Sequence, residues 1–184
     1  MKPTEVLVTE HNAVLLALEI LNKVAARLAV GAVEVHGDLD QLIDFFKGFV
    51  DRCHHAKEED VLFPELEKRG VPREGGPIGV MLAEHDTGRR YVREISEALE
   101  CLRGGDAGAA GNIRKNSSGY GDLLREHIDK ENNVLYPMAD RLLSELDAAK
   151  MMGRFEEIER DRVGVGKHEA YHEMLHRLKK TYRV

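Results

Sequence analysis

Residues 54–64 read HHAKEEDVLFP, and residues 127–137 read HIDKENNVLYP. Once the prolines are aligned, both segments begin with a histidine, carry a glutamate four residues later, and end on Val-Leu, an aromatic residue and proline. Each segment is preceded by a Glu-His pair, Glu10-His11 and Glu84-His85, which repeats at nearly the same interval, 74 residues against 73 for the longer segments. The chain therefore consists of two similar halves, each with one histidine followed by His-x-x-x-Glu.

Each of these histidines interrupts an apolar stripe that has helical spacing. Residues four apart on a helix lie on the same face, so His54 and Glu58 point together, as do His127 and Glu131. The stripe around the first pair is formed by Ile43, Phe46, Val50 and Leu62. We therefore expect four helices to direct these polar residues into one shared core.

Gly- and Pro-rich breaks separate the helical patterns, and no segment alternates polar and apolar residues for long enough to indicate a strand. The predicted helices of the bundle cover about 9–33, 38–69, 78–102 and 106–146. A further amphipathic helix is predicted at about 154–182, with a seam of Tyr171, Leu175, Leu178 and Tyr182 that docks on the bundle. The fold class is thus predicted to be all-α, an up-down four-helix bundle with an additional C-terminal helix, in a single domain covering 1–184.

The composition is that of a soluble globular protein, with 42% hydrophobic and 33% charged residues. The net charge of −6 disfavours nucleic acid and anionic membranes as partners. No apolar stretch of about 18 residues is present and the N-terminal residues lack a secretory pattern, so a cytoplasmic location is expected. Cys53 and Cys101 form no CxxC motif and are expected to be small buried residues.

Two buried carboxylates would each be costly without a partner, and metal coordination is the natural compensation in a bundle core. Four imidazoles and two carboxylates suit two divalent ions, with the carboxylates able to bridge them. Iron fits this donor set, as do manganese and zinc. A single histidine on an apolar stripe is more often a core residue, but agreement across two repeats favours a metal site. Tyr120 and Tyr136 are expected nearby, as donors to a bound oxygen species or as core residues. The candidate metal ligands are His11, His54, Glu58, His85, His127 and Glu131.

Four neighbours of these candidates, one histidine and three glutamates, are not expected to be metal ligands. His55 and Glu59 repeat the four-residue spacing but lie about 100° further round the helix, so they are expected at the surface or behind the ligands. Glu10 and Glu84 precede candidate histidines but point about a quarter-turn away. Solvent exposure is therefore expected for both of these glutamates.

With these motifs the sequence resembles the hemerythrin-like (HHE cation-binding) family over roughly 9–146. The resemblance is carried by Glu10-His11, His54-x-x-x-Glu58 before Leu-Phe-Pro, Glu84-His85, and His127-x-x-x-Glu131 before Leu-Tyr-Pro. It implies a non-haem di-iron centre in which the four histidines are terminal ligands. The two glutamates of the His-x-x-x-Glu motifs would be the bridging carboxylates.

Two positions depart from the oxygen-carrying members of that family. Those proteins have a second histidine one helical turn from the third-helix histidine, whereas Met81 and Arg89 stand at that spacing from His85. Their last carboxylate falls five residues after its histidine, whereas Glu131 falls four after His127. The site is therefore expected to be one histidine short, with an open position that favours chemistry over reversible oxygen carriage.

The resemblance is closer to members that sense iron or oxygen, turn over peroxide or bind nitric oxide. The predicted function is a non-haem di-iron protein that binds or reacts with dioxygen, peroxide or nitric oxide, with a peroxide- or oxygen-reactive oxidoreductase as one form. The alternative is an iron-binding, iron-sensing or iron–sulfur-centre repair module without turnover of its own. Repair proteins usually carry an additional N-terminal segment with cysteine, which is not found in this sequence. The oligomeric state does not follow from the sequence.

The C-terminal helix contains a different metal motif. Residues 168–176 read HEAYHEMLH, which is HExxH twice, the signature of zinc hydrolases in which two histidines bind zinc and the glutamate is a general base. The eight residues after His176 include no acid that could be a third ligand, and no strand-rich region is present to build a substrate cleft. Packing on the bundle is the preferred interpretation. A zinc hydrolase and an accessory site on His168, His172 and His176 are the alternatives.

Overall fold

The computed structural model describes residues 2–184, which form six main helices, a short 3-10 helix at Val33–Val35 and the loops between them. No strand occurs among these residues, so the predicted all-α class is confirmed. The helices are α1, Pro3–Leu28; α2, His36–Phe45 continuing through Phe46–His55, Glu58–Leu62 and Phe63–Lys68; α3, Pro77–Arg103; α4, Ala109–Lys130 continuing through Glu131–Leu135 and Tyr136–Leu142; α5, Glu145–Ile158 continuing through Glu159–Val163; and α6, Lys167–Tyr182.

The first four helices form the predicted bundle. Helix α1 packs against α2 and α4, and α3 packs against the same two helices, which is the order of an up-down four-helix bundle. Helices α5 and α6 lie outside this bundle and pack on α1 and α2. In the part of the chain that the structure describes, no helix is long and apolar enough to cross a membrane.

The apolar core is divided into two clusters, and the candidate ligands lie between them. On α1, Leu7 belongs to one cluster and Val14 to the other, with His11 between them. The same order holds on α4, where the candidate ligands lie between Leu124 of one cluster and Leu135 of the other. Apolar layers on both sides keep water from the polar layer, so electrostatic interactions there are stronger than at a surface.

Both helices that carry a His-x-x-x-Glu motif widen just before their prolines. The N–H of Phe63 bonds the carbonyl of Glu58, and the N–H of Tyr136 bonds that of Glu131, five residues back in each case. A proline inside an α-helix has no N–H to donate, and its ring collides with the carbonyl four residues back. A π-turn at this point accommodates the proline while the helix continues.

Four predicted boundaries are wrong for local reasons. Helix α1 begins earlier than predicted, because Pro3 suits the first turn of a helix, and it ends at Leu28 instead of about 33, before Gly31 takes a positive φ of 85°. Helix α4 ends at Leu142, since Ser144 caps α5 and its hydroxyl accepts the N–H of Asp147 at 3.2 Å. The predicted C-terminal helix is two helices, because both glycines of Gly164-Val165-Gly166 have positive φ, 100° and 79°.

Helix α6 docks on the bundle through the predicted seam. The hydroxyl of Tyr171 donates to the Asp44 carboxylate at 3.1 Å and lies over Gly48. A Cβ at position 48 would come within 2.1 Å of that hydroxyl oxygen, so glycine permits the close approach of α6. The buried seam residues are Tyr171, Leu175, Leu178 and Tyr182. Of the two cysteines, Cys53 is buried as predicted, whereas Cys101 is exposed because it lies on the solvent side of the α3 end.

Candidate metal centre

The structure brings all six candidate ligands together in one buried layer. Each is at most 2% exposed, and their ring nitrogens and carboxylate oxygens converge between the two apolar clusters. Helices α1 and α3 contribute one histidine each, and α2 and α4 contribute one His-x-x-x-Glu pair each. The six residues are His11, His54, Glu58, His85, His127 and Glu131.

The four histidines form two pairs, and each pair joins the two helices of one half. The Nε2 atoms of His11 and His54 are 3.0 Å apart, and those of His85 and His127 are 3.1 Å apart. Two ligands at right angles and about 2.1 Å from one metal are about 3 Å apart. The spacing within each pair therefore fits two imidazoles that share an ion.

The two carboxylates lie between the histidine pairs. Glu131 places Oε2 at 3.2 Å from Nε2 of His11 and Oε1 at 3.3 Å from Nε2 of His127, so it faces one histidine of each pair. Oε2 of Glu58 is 3.3 Å from Nε2 of His85 and 3.8 Å from that of His54. Glu131 is thus placed between the two histidine pairs, where it could bridge them. Glu58 lies nearer to the pair that contains His85.

All four histidines are oriented by an oxygen on their outer nitrogen. The Nδ1 atoms lie 2.6–2.9 Å from these oxygens, so each Nδ1 carries a proton and each Nε2 faces inward. Metal-binding histidines show this arrangement almost always, since the outer partner fixes the ring and its tautomer. The pairs are His11 with Asn132, His54 with Glu10, His85 with Glu59, and His127 with Glu84.

The prediction that Glu10 and Glu84 are exposed to solvent is wrong, because both side chains hold histidines of the site. Glu10 is 5% exposed, accepts from His54 and from the ammonium of Lys57, and Glu84 accepts from His127 and Lys130 in the same way. Burial raises the pKa of Glu10, but the bonds from His54 and Lys57 outweigh it and leave the pKa below its usual value. In each half a glutamate directly precedes one histidine, and a lysine follows the next histidine by three residues. This repeat is the sequence signal that could have identified both Glu–His–Lys triads.

The protons of the metal-free site follow from these contacts. Burial and the charge of Glu58 raise the pKa of Glu131 well above its usual value, so Glu131 holds a proton. Burial and His54 lower the pKa of His11 to about 3. For His85, burial lowers the pKa, but Glu58 and Glu59 raise it to about 9. A cation that binds here must therefore displace protons from Glu131 and His85.

The chemistry of the donor set fits a metal ion. Three carboxylate oxygens have no hydrogen-bond partner, Oε2 of Glu58 and both oxygens of Glu131, although all three are buried. Unpaired buried carboxylate oxygens are costly, and a cation satisfies them. Ligand atoms of two overlapping groups lie within 4.8 Å of one another, namely Glu58, His85, His127 and Glu131, and His11, His54 and Glu131.

Of the two tyrosines expected near the ligands, one contacts them. The hydroxyl of Tyr136 donates to Oε1 of Glu58 at 2.7 Å, and burial raises the pKa of Tyr136 well above its usual value, so it remains a donor. Tyr120 packs its ring edge-on against Phe46 within the apolar cluster. Its ring lines a cavity of about 80 Å³ that reaches His55 from the surface.

His55 and Glu59 are expected at the surface or behind the ligands; burial excludes the surface for His55. His55 is 3% exposed and belongs to a group of close ligand atoms with His85 and His127. The π-helical run Phe46–His55 takes more residues per turn than an α-helix, so adjacent residues are separated by a smaller angle and His55 is buried together with His54. Glu59 lies behind His85, where Arg89 also binds it at 2.7 Å.

The histidines of α6 add no atom to the layer of six candidate ligands, although His168 lies in a separate group of close ligand atoms with Glu10 and Glu159. His172 and His176 point to solvent, and His168 is half-buried with its ring centroid 4.7 Å from that of His172. Within 2–184, none of the groups of three or more close ligand atoms contains His172 or His176. The observed role of the segment is the docking of α6 through its apolar seam.

Comparison with known proteins gives relatives whose names refer to iron. Iron-sulfur cluster repair protein YtfE of Yersinia pseudotuberculosis serotype IB (strain PB1/+) is 34% identical over 91 residues, which is 48% of this chain and 41% of the relative. The same protein of Yersinia pestis (strain Pestoides F) and of Yersinia pseudotuberculosis serotype O:1b (strain IP 31758) matches with the same identity and coverage. The chain thus matches less than half the length of these relatives.

A family model matches a longer part of the chain than these relatives do. The match covers residues 2–139, which includes α1, α2, α3 and most of α4 with all six candidate ligands, and the model is described as the hemerythrin HHE cation binding domain. The resemblance seen in the motifs is confirmed by this match. The chain belongs to the hemerythrin HHE cation-binding family.

Proposed function

We propose that the protein binds two iron ions and serves in the repair of iron–sulfur clusters. The observation that carries the metal site is the set of four histidines, each with Nδ1 held by an oxygen and Nε2 facing two buried carboxylates. The role in repair is suggested by the names of the relatives, which match part of this chain.

The ligands divide between two positions. His11 and His54 would hold one ion, and His85 and His127 the other. Glu131 would bridge them, because its two oxygens face one histidine of each pair, and Glu58 would bind chiefly on the side of His85.

Iron bound here supplies a redox-active Lewis acid, and the protein's residues control what reaches it. Tyr136 keeps Oε1 of Glu58 occupied, which leaves Oε2 to face the histidines. Outer carboxylates on His54, His85 and His127 strengthen these imidazoles as donors. The apolar layers exclude bulk water and large molecules, so only small ligands have access.

Metal analysis of the full chain, purified without added metal, tests the binding. We expect two irons per chain and an absorption spectrum typical of bridged iron. Retention of a single zinc that His172→Ala removes would contradict the proposal, as would failure to bind ferrous iron after anaerobic loading.

The repair role needs a separate assay. An iron–sulfur enzyme that peroxide has inactivated by loss of one cluster iron is incubated with the iron-loaded chain and a thiol reductant. We expect its activity to return faster than with the metal-free chain and the same amount of free ferrous iron. Equal rates would show that the chain binds iron without serving in repair.

A second candidate function, reaction with peroxide, dioxygen or nitric oxide, is favoured by the cavity that reaches His55. Its volume of about 80 Å³ suits a molecule of two to four atoms, and Phe46, Val92 and Tyr120 make much of its wall apolar. Prompt loss of peroxide with the iron-loaded chain, abolished in Glu58→Ala, would support this function. Stable iron without peroxide loss would favour repair alone.

A further inference from the structure

A second carboxylate lies behind the candidate ligand His54, and it comes from a helix outside the bundle. Oε2 of Glu10 accepts from Nδ1 of His54 at 2.8 Å, and Oε1 of Glu10 accepts from the ammonium of Lys57. The same ammonium donates to Oε1 of Glu159 at 2.5 Å. The family match ends at residue 139, so Glu159 lies outside the matched domain. Glu159 therefore links the extension of α5 to a candidate ligand through two intervening side chains.

One face of α5 encloses the ammonium of Lys57. The ring centroid of Phe155 is 5.5 Å from Nζ, and Glu159, about one turn later, binds the same nitrogen. Arg162 pairs with Asp60 of α2 at 2.6 Å, which holds the α5 extension beside α2. Because the side chain of Lys57 is 0% exposed, water does not reach its charge. The protein alone therefore balances this ammonium.

The link to α5 changes the charge behind His54. Two carboxylates and one ammonium leave one net negative charge there, whereas Glu84 and Lys130 form a neutral pair behind His127. If the buried ammonium had a single partner, it would neutralise the carboxylate that holds His54. Glu159 takes a share of the ammonium, and charges act strongly on one another where water is excluded. More negative charge therefore remains on the oxygen that faces the imidazole.

We propose that Glu159 is a positioning residue for the ion held by His11 and His54. It shares the ammonium of Lys57 and so keeps negative charge on Glu10. An outer carboxylate raises the basicity of a metal-binding imidazole, so His54 becomes a stronger donor. The inference rests on the two-metal function and deepens it, because it places control of one ion in a helix outside the bundle.

Proton NMR of the zinc-loaded chain tests the link. A hydrogen bond to a more strongly charged acceptor is shorter and stronger, and it moves the N–H signal of an imidazole downfield. Glu159→Gln removes one charge and keeps the shape of the side chain, so the Nδ1–H signal of His54 should move upfield. The signal of His127 is an internal reference and should stay in place. Glu156→Gln, at an exposed glutamate of the same helix, is the matched control and should move neither signal.

Zinc affinity and reduction potential measure the consequence for the ion. We expect Glu159→Gln to bind one of two zinc ions about threefold more weakly, which is less than the about tenfold loss typical for a direct outer partner. In the iron-loaded chain, one of the two reduction potentials should become more positive, since nearby negative charge stabilises the more highly charged ion. Glu156→Gln should leave the affinity and both potentials unchanged.

Two results would overturn the inference while leaving the two-metal function intact. One is an unchanged His54 signal in a folded Glu159→Gln variant that is merely less stable in urea, because Glu159 would then only dock α5. The other needs no substitution: in wild type the Nδ1–H signal of His54 should lie downfield of that of His127, and an equal or opposite order would contradict the link. This comparison decides if circular dichroism shows the variant to be unfolded. A wild-type chain that binds neither zinc nor iron would instead refute the proposed function.

Discussion

Each half of the metal centre contains a Glu–His–Lys triad, and the two triads lie in different surroundings. In the first half, Glu10 joins His54 to Lys57, whose side chain is 0% exposed because Glu159 of the α5 extension binds it at 2.5 Å. In the second half, Glu84 joins His127 to Lys130, whose side chain is 39% exposed. The helices outside the bundle cover one triad and leave the other at the surface. The same three residue types therefore form a buried ion pair in one half and a solvated one in the other.

The halves also differ in the residue that holds the first histidine of the opposite half. Glu59, from the first half, accepts from His85, whereas the equivalent Asn132 accepts from His11. A carboxylate stabilises a protonated imidazole more strongly than a neutral amide does, which is one reason why the pKa of His85 is raised while burial and His54 lower that of His11. The repeat thus sets the positions of the ligands, and the outer residues set their charge.

The largest effect should follow removal of the carboxylate that joins the halves. In Glu131→Ala both histidine pairs lose a facing oxygen, so we expect both ions to be lost, with affinity reduced by at least about 100-fold. Glu58→Ala should weaken mainly the ion on the side of His85. Metal content after dialysis against a chelator measures both. Two ions retained by Glu131→Ala would contradict its bridging position.

The buried and exposed triads should respond differently to loss of their glutamates. Glu10→Ala leaves Lys57 buried with one partner fewer, and breaking a buried pair costs about 3–5 kcal/mol. Glu84→Ala leaves Lys130 free to turn to solvent, so we expect a loss of about 1 kcal/mol or less. Urea unfolding of the metal-free variants at pH 7 gives both values. Equal losses would show that burial by α5 does not distinguish the triads.

The outer carboxylate on His85 predicts a dependence on pH. The pKa of His85 is raised from 6.5 to about 9, so its stabilisation of the metal-free fold is complete below pH 6.5 and is lost as the pH rises to 9. Glu59→Gln replaces the carboxylate beside His85 with an amide, like the one beside His11. It should lower the pKa of His85 and flatten the pH dependence of stability. A shift of one pKa unit corresponds to about 1.4 kcal/mol.

NMR titration of the His85 ring and urea unfolding at pH 6 and pH 9 measure both effects. Asn132→Asp is the reciprocal variant, and it should raise the pKa of His11 above its present value of about 3. An unchanged His85 pKa in Glu59→Gln would assign the whole shift to Glu58.

The ligand layer was predictable because it depends on periodicity alone. Four-residue spacing on an apolar stripe is sufficient to bring His54, Glu58, His127 and Glu131 into one core, and the structure places them there. Up-down topology follows from four long helices joined by short loops. The fold class and the grouping of the six candidates therefore needed no information about neighbouring helices.

The residues around that layer were not predictable in this way. Glu10 and Glu84 point away from the centre of the core, and their burial depends on a histidine and a lysine that another helix supplies. The burial of His55 does not follow from a period of 3.6 residues, because this residue lies at the end of a π-helical run. Ser144 shows a similar limit at a helix end, where one capping residue begins α5 inside the span predicted for α4.

The smallest effect is expected outside the bundle, on α6. The HExxH histidines His172 and His176 are exposed, whereas Tyr171 and Leu175 are buried and pack the helix against α1 and α2. His172→Ala should therefore leave the metal content unchanged and alter stability by less than about 0.5 kcal/mol, as surface substitutions usually do. Leu175→Ala on the buried face is the contrasting variant and should cost about 2–5 kcal/mol. A metal lost in His172→Ala, with the bundle intact, would mean that the hydrolase motif binds an ion of its own.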